Sequence, residues 1–589
     1  MNILGVSGLE KAPAFKRAHW PGLEEREYRI LQGQDSAAVL ICDGQVVAAA
    51  AEERFTRNKH TAAFPSQAID WCLSQAGLDP SQVDEIAHGF DYTPYRELYS
   101  LDPVSDEYYR EVCSPEALLA SVHAWRPGFP AEKVFSVNHH LAHAASAYYT
   151  SGWPECLTVV LDAMGEVQSI SAFDCAGGKL KKLREISANH SIGILYSLVT
   201  LHLGFDFNSD EYKIMGLAPY GHPERFRKFF EGVVELRDGG SIRIPILNLN
   251  KTREDRETYA ATRRFLDENL VPRRSPGAEI TEEHRDIAAA LQECLERVIL
   301  HVCENLRDAT GHSRIALAGG VALNCTANGR LMRSGLFEEV YIQPVAGDDG
   351  VALGAALYRA SLAGEVDNQR FPVPLLGPAS CRHDTDSALE EFRDRVDVVR
   401  FRSLDETCAN AARLIAGGKV IAWHRGRMEY GARALGSRSI LADPGHPEMR
   451  DRINAMVKKR EAFRPFAPAV TAEQAHVWFE LDEQAELPYM IAIVDVRPRH
   501  RESLPAITHV NGSARVQTVS KKDHPEFHHL LKAVGALNGR EMVLNTSFNV
   551  KGQPIVNTPR EAIDTFLGTG IEYLFLGNTR VSKKVGSEI

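Results

Sequence analysis

Several familiar signatures are missing from this chain, and each absence removes a class of function. None of its ten cysteines stands in a C-x-x-C pair, which removes zinc ribbons and thioredoxin-type redox motifs. No G-x-x-x-x-G-K-[ST] stretch occurs, so a P-loop nucleotide site is excluded. No apolar run approaches the ~18 residues of a membrane span. The start, MNILGVSG, lacks a basic n-region and a cleavage site, so no signal peptide is read. Positive charge is in the minority. With 67 Lys plus Arg against 78 Asp plus Glu the net charge is −11, which argues against a general nucleic-acid binder. What remains is a chain of 589 residues, 44% hydrophobic, long enough for two to four domains. Thiols set in apolar stretches, such as Cys156 and Cys325, fit a reducing cytoplasm.

Strand, glycine turn and helix recur along the chain and predict α/β architecture. Met1–Ser7 reads as a strand, and residues 35–40 and 46–51 flank the turn Cys42-Asp43-Gly44 as a hairpin. A polar, proline-containing insertion fills 8–33. Ser66–Ala76 has helical spacing, and Cys156–Leu161 and Ile315–Ala318 read as strands. Between about 365 and 395 lies a stretch rich in proline and polar residues. A fresh α/β pattern follows, with a helix at Glu406–Ala416 and a strand at Val420–His424. The expected domains are therefore 1–375 and 390–589. No fixed-period repeat is apparent.

The chemistry-bearing residues begin with Asn138-His-His-Leu-Ala-His143. His139 and His143 are four apart and share a helix face, and so do His140 and His143. Two such imidazoles can hold a divalent ion if carboxylates arrive from elsewhere. Asp162, closing the strand CLTVVLD, and Asp348, in the loop AGDDG, are the candidates. That donor set suits Fe(II), Mn(II) or Zn(II). The plainer alternative is a helix-capping cluster of histidines.

Gly319-Gly-Val-Ala-Leu-Asn324 follows a strand and opens a helix, a place where backbone can approach phosphate. Tight strand-to-helix packing would explain it equally. Taken with Gly347-Asp-Asp-Gly350 and with Asp35, these loops resemble those of the actin/sugar-kinase/Hsp70 superfamily, which binds ATP between two halves without a P-loop. Further on, residues 425–464 hold ten Arg and Lys against five acids. Arg433 and Arg438 sit among small and apolar residues, where a solvated basic helix fits poorly. Arg suits bidentate contact with phosphate or carboxylate, so a small polyanion is the expected ligand. Arg515 and the cluster Asn545-Thr-Ser-Phe-Asn549 could add donors.

Long segments then carry a resemblance. DSAAVLICDGQVVAAAAEERFTRNKH, NHHLAHAASAYY, LDAMGE, KIMGLAPYG, LAGGVALNCTANGRL, GRMEYGARALGSRSILADP, KKREAFRPFAPA, HVNGSARVQTV and LNTSFNVKGQPIVNTP resemble, in order, the O-carbamoyltransferases of the NodU/CmcH family. The resemblance implies an actin/Hsp70-like (ASKHA) metal-binding domain followed by a YrdC-like α/β domain. It implies carbamoyl phosphate and ATP, with Mg(II), combining to carbamoyladenylate in the second domain. The carbamoyl group then passes to a hydroxyl of a small molecule, a natural product or sugar, in the first. The implied metal ligands are His139, His143, Asp162 and Asp348, with Fe(II) or another divalent ion. The implied nucleotide and donor contacts are Asp35, Lys59, Gly319, Gly320, Asn324, Arg433, Arg515, Ser547 and Asn549. Lys458, in preference to Lys459, is given a catalytic role. Neither nucleic acid nor membrane is an expected partner, and a homodimer is left open.

Two departures bear on the acceptor. Gln34 stands where relatives carry His, and Tyr212 where they carry Gly. Because Gln cannot titrate, the base for the acceptor hydroxyl is expected from Asp210 or Glu211, whose alternative role is to cap the following helix.

Overall fold

The computed structural model describes residues 1–458, 461 and 463–584, and for Lys458 the backbone alone. It divides into two compact units. One comprises Met1–Glu53 with His60–Phe371, and the other Arg54–Lys59 with Pro372 onward. The class is mixed α/β, as the strand–turn–helix pattern predicts.

The first unit holds a doubled sheet. Strands β1 (Asn2–Val6), β2 (Ala37–Cys42), β3 (Gln45–Ala51), β4 (Glu85–His88) and β5 (Val134–Ser136) line up in the order β3-β2-β1-β4-β5. Strands β6 (Glu155–Leu161), β7 (Gln168–Ala176) and β8 (Lys179–Ser187) are followed by a small hairpin of β9 (Glu235–Arg237) and β10 (Ser241–Arg243). With β11 (Arg314–Ala318) and β12 (Glu339–Ile342), the larger strands form a second sheet in the order β12-β11-β6-β7-β8. Both sheets start with two antiparallel pairings, β1–β2–β3 and β6–β7–β8. Both then add two parallel strands, β4 and β5 in one case, β11 and β12 in the other. Two like halves are what the actin/Hsp70-like expectation calls for. Parallel additions need crossover connections, so long inserts fall there and hide the repeat in the sequence.

Local signals explain the elements. Asp43 (φ 48°) and Gly44 (φ 77°) make the two-residue hairpin turn between β2 and β3, since both central positions need positive φ. The helix His139–Ser151 is built from small, helix-favouring residues. Asn138 caps it by accepting a bond from the Leu141 amide at 3.1 Å, and left-handed Gly152 ends it. The 8–33 insertion contributes Leu9, Ala12 and Phe15 to an apolar cluster with Phe90, Tyr92, Tyr109 and Val112.

The second unit is built on an eight-stranded mixed sheet. Its strands are β13 (Val396–Arg400), β14 (Ile421–His424), β15 (Arg438–Ala442), β16 (Ala467–Thr471), β19 (Gln517–Val519), β20 (Met542–Ser547), β21 (Tyr573–Leu576) and β22 (Thr579–Lys583). The order is β13-β22-β21-β14-β15-β20-β16-β19. A separate pair, β17 (Val494–Asp495) and β18 (Ser513–Ala514), lies outside it. Helices Leu404–Ala416 and Pro525–Asn538 lay Cys408, Ala412, Phe527 and Leu531 onto Trp423, Leu441 and Phe575 of the sheet. No helix among the described residues is long and apolar enough to cross a membrane.

Candidate functional site

His139 and His143 are fully buried on one face of their helix, with their Nε2 atoms 3.1 Å apart. Asp162 ends β6 and puts Oδ2 at 3.4 Å from the Nε2 of His139. Asp348, at the start of helix Asp349–Leu362, places Oδ1 at 3.6 Å from His139 and 3.8 Å from His143. Ligand atoms of all four lie within 4.8 Å of one another. His140 is beside the group, 3.9 Å from Asp162, but its Nδ1 is bonded to Ser171 Oγ at 2.7 Å. The His139 and His143 ring centroids are 4.6 Å apart and those of His140 and His143 6.5 Å, so it is His139 that joins His143 in the group of four.

The surroundings hold these side chains still. His139 donates through Nδ1 to the Gly89 carbonyl at 3.1 Å, which directs its Nε2 lone pair into the cluster. Phe90 stacks on the same ring with centroids 4.2 Å apart. Buried Glu166 accepts from the amides of His139 and Asp91, both at 2.8 Å, and from Asn138 Nδ2 at 2.7 Å. Glu166 closes the segment LDAMGE, where nothing in the residue pattern assigns it a role. Its signal was an acid four residues beyond the strand-end aspartate. Helix spacing is equally constrained. A Cβ built on Gly354 would stand 1.7 Å from the Ala142 carbonyl oxygen, so the helices carrying Asp348 and the histidines approach backbone to backbone there.

The electrostatics ask for a cation. Burial disfavours a charge on His139, but Asp162 and Asp348 outweigh it and hold the imidazole well above its usual range. Asp162 is buried too, and the facing histidines, His139 first, carry its carboxyl far below the ordinary value. Burial, helped by the neighbouring imidazoles and opposed by Asp162, takes His140 down to about 3. Two carboxylates and two imidazoles, all but Asp348 buried, converge into a donor set that a divalent ion fits.

The glycine turn serves this site. Gly319 has φ 94°, and a Cβ on it would sit 2.3 Å from the Leu161 carbonyl oxygen. The Gly320 amide donates to Asp162 Oδ1 at 3.0 Å. Asn324 caps helix Cys325–Arg333 through the Ala327 amide and exchanges bonds with Gln292.

Asp210 and Glu211 do not touch the metal-type cluster. Asp210 pairs with Lys213 at 2.7 Å and accepts from the Asp206 amide, and its side chain does not cap the helix. Glu211 accepts from Ser197 Oγ at 2.6 Å and from the Asn208 amide at 2.8 Å, and burial raises its pKa. Asp35 accepts from His60 Nδ1 at 2.7 Å. Lys59 is half-buried in the short stretch that clusters with the second unit.

In the second unit the basic strip divides. Arg438 is fully buried and donates to the carbonyls of Arg425, Gly426, Ser437, Pro378 and Asn557. It is a structural strut, and the expectation that it helps bind an anion is corrected. Arg425 pairs with Glu526, and Arg452 with Glu572. Buried Glu429 accepts from the amides of Leu435 and Ser437, both at 2.7 Å, and so shapes the loop that carries Arg433. Asn545 Nδ2 reaches the Ala434 carbonyl and Gln517 Oε1, and Gln517 donates to the Leu435 carbonyl. These bonds draw together the segments bearing Arg433, Arg515 and Ser547. Ser547 donates to Asn549 Oδ1 at 2.7 Å. The side chain of Lys458, and Lys459 with it, lie outside the described residues.

Comparison with known proteins gives these units their relatives. Residues 31–357 match the family model "Carbamoyltransferase N-terminus", and 412–583 match "Carbamoyltransferase C-terminus". Nodulation protein NolNO of Sinorhizobium fredii is 39% identical, covering 94% of this chain and 79% of that protein. Nodulation protein NolO of Bradyrhizobium diazoefficiens is 42% identical over 77% of this chain and 80% of its own length. A 3'-hydroxymethylcephem-O-carbamoyltransferase of Amycolatopsis lactamdurans is 34% identical over 46% of this chain and 50% of its own.

Proposed function

Because the chain belongs to the carbamoyltransferase family, and is thereby an enzyme, we propose that it performs ATP-dependent O-carbamoylation of a small hydroxylated molecule. The observation that carries the reading is the convergence of His139, His143, Asp162 and Asp348 in a chain matching both carbamoyltransferase models. Carbamoyl phosphate loses its phosphate to water, and the carbamate oxygen attacks the α-phosphate of ATP. Pyrophosphate leaves and carbamoyladenylate remains. An acceptor hydroxyl then attacks the carbamoyl carbon, and AMP departs with the electron pair.

The phosphate chemistry is assigned to the second unit, read as YrdC-like. Arg433, Arg515 and Lys458, with Ser547 and Asn549, neutralise the crowded oxygens of carbamoyl phosphate and Mg(II)-bound ATP before they can approach. Transfer is assigned to the first unit, where the Gly319–Gly320 turn and Asn324 stand on the Asp162 side of the site. His139, His143, Asp162 and Asp348 would hold a divalent ion such as Fe(II), which when bound supplies Lewis acidity to the carbamoyl group. The Gly89 carbonyl keeps the His139 imidazole in the orientation that this requires, and Glu166 holds the first turn of the helix that carries it. Exchange of labelled pyrophosphate into ATP, dependent on carbamoyl phosphate, tests the reading. Absence of exchange in protein replete with Mg(II) would overturn it.

A further inference from the structure

The reading above leaves the acceptor's proton without a taker. Gln34 cannot titrate, and its Oε1 accepts from Asn208 Nδ2 at 3.4 Å. Asp210 is engaged by Lys213, and Glu211 by Ser197 and Asn208.

Beside them Asp35 and Ser209 gather around His60. His60 donates through Nδ1 to Asp35 Oδ1 at 2.7 Å, and its Nε2 meets Ser209 Oγ at 3.2 Å. The His60 amide is fixed by Glu53 Oε2 at 3.0 Å, and the Ser36 amide by the Thr61 carbonyl at 3.0 Å. Three of the non-glycine residues with positive φ meet here: Asp35 (56°), His60 (58°) and Asn208 (53°). Backbone held in that region costs of order 1 kcal/mol each, and it tends to persist where geometry serves function. Asp35 and His60 retain 39% and 17% of their side-chain exposure, so a ligand can reach them.

The same loop abuts the metal-type cluster. Gln32 donates to the carbonyls of Met164 and Gly165. Gly165 packs on the histidines so closely that a Cβ there would lie 2.7 Å from His140 Cδ2 and 3.4 Å from His139 Cδ2. From Gln32 to Asp35 the chain can span no more than about 10 Å. Gln32 and Gly165 thus link the loop that carries Asp35 to the residues packed on His139 and His140.

We infer that His60 is the general base of the transfer step and Asp35 its positioning residue. Asp35 holds the Nδ1–H tautomer, leaving the Nε2 lone pair to receive a proton. The acceptor hydroxyl displaces Ser209 Oγ from Nε2. As its oxygen bonds to the carbamoyl carbon, its proton passes to His60 and the carbon–oxygen bond to AMP breaks. The imidazolium then returns its proton to solvent. This inference rests on the carbamoyladenylate reading.

The test supplies carbamoyladenylate to the full chain with glycerol, or failing that water, as the hydroxyl probe, and hydroxylamine as a nucleophile that needs no base. His60→Gln should lower transfer to the hydroxyl probe about a hundredfold, leaving hydroxyurea formation and pyrophosphate exchange near parental. Asp35→Asn should lower it about tenfold, with recovery in Asp35→Glu. Ser209→Ala should keep transfer. Parental transfer to the hydroxyl probe by His60→Gln, or an equal fall with hydroxylamine, would overturn the inference while exchange still upholds the reading. So would a carbamoyl group found on Ser209 by peptide mass. A parental chain with neither exchange nor transfer would overturn the reading and the inference with it.

Discussion

Both units bury histidines, and they bury them in opposite company. In the first, His139 and His143 face Asp162 and Asp348 at 3.4 to 3.8 Å. In the second, fully buried His424 lies beside Arg438, and His509 beside Arg515. Burial and the neighbouring guanidinium press His424 well below its usual range and His509 down to about 3. One residue type is thus placed once among carboxylates and once among positive charges. The sign of the local field decides whether the buried ring is held charged or neutral.

The contrast can be broken at either end. The largest effect is expected from His143→Ala and Asp162→Asn, which should lower metal affinity at least about a hundredfold and abolish transfer. Pyrophosphate exchange should survive. Metal analysis beside both assays would expose a wrong assignment if ion content held. Next, Arg433→Ala or Arg515→Ala should slow exchange roughly ten- to a hundredfold, the loss of one charge-assisted contact, yet spare transfer from supplied carbamoyladenylate. If exchange ran at the parental rate, the second unit's role would need reassigning. Glu166→Gln is smaller. It should cost ~1–3 kcal/mol in urea unfolding of the first unit, since three donors then share one good acceptor oxygen.

The smallest effect concerns acid. The folded pKa of His424 lies below the unfolded value near 6.5, so the unfolded chain binds the extra proton as pH falls. Stability contributed by the neutral ring is whole above about pH 7 and is lost below about 6.5. His424→Leu should flatten the acid limb of the second unit's thermal stability by about 1 kcal/mol between pH 7 and 5.5. An unchanged limb would mean that the ring is charged in the folded state.

The convergence of a histidine pair on residues 139–143 with Asp162 and Asp348 was legible in the sequence because helix periodicity brings two of the three histidines to one face and a strand end and a loop offer the aspartates. The choice between His139 and His140 was not legible from spacing, since both lie four or three residues from His143. It took the way the helix faces Asp162 and Asp348 to bring His139 to His143 and leave His140 farther off. Arg438 misled because a buried arginine and a ligand-binding arginine look alike in sequence. What separates them is a ring of backbone carbonyls brought from three distant segments. His60 was hidden for a related reason. It closed a quoted motif, but its partners Asp35 and Ser209 come from 25 and 149 residues away. The doubled sheet order left no trace because strand order is kept by hydrogen bonding and not by residue identity.

The missing side chain at Gly354 has a consequence beyond close packing. The histidines ride on one helix and Asp348 on the end of its neighbour, so the gap between two helical rods sets the bite of the cage. Glycine works there as the zero of a caliper. A side chain at position 354 would press the two helices apart and lengthen the distances from Asp348 to the histidines, with none of the four side chains altered. The spacing of the cluster is thereby kept by a residue that belongs to neither end of it.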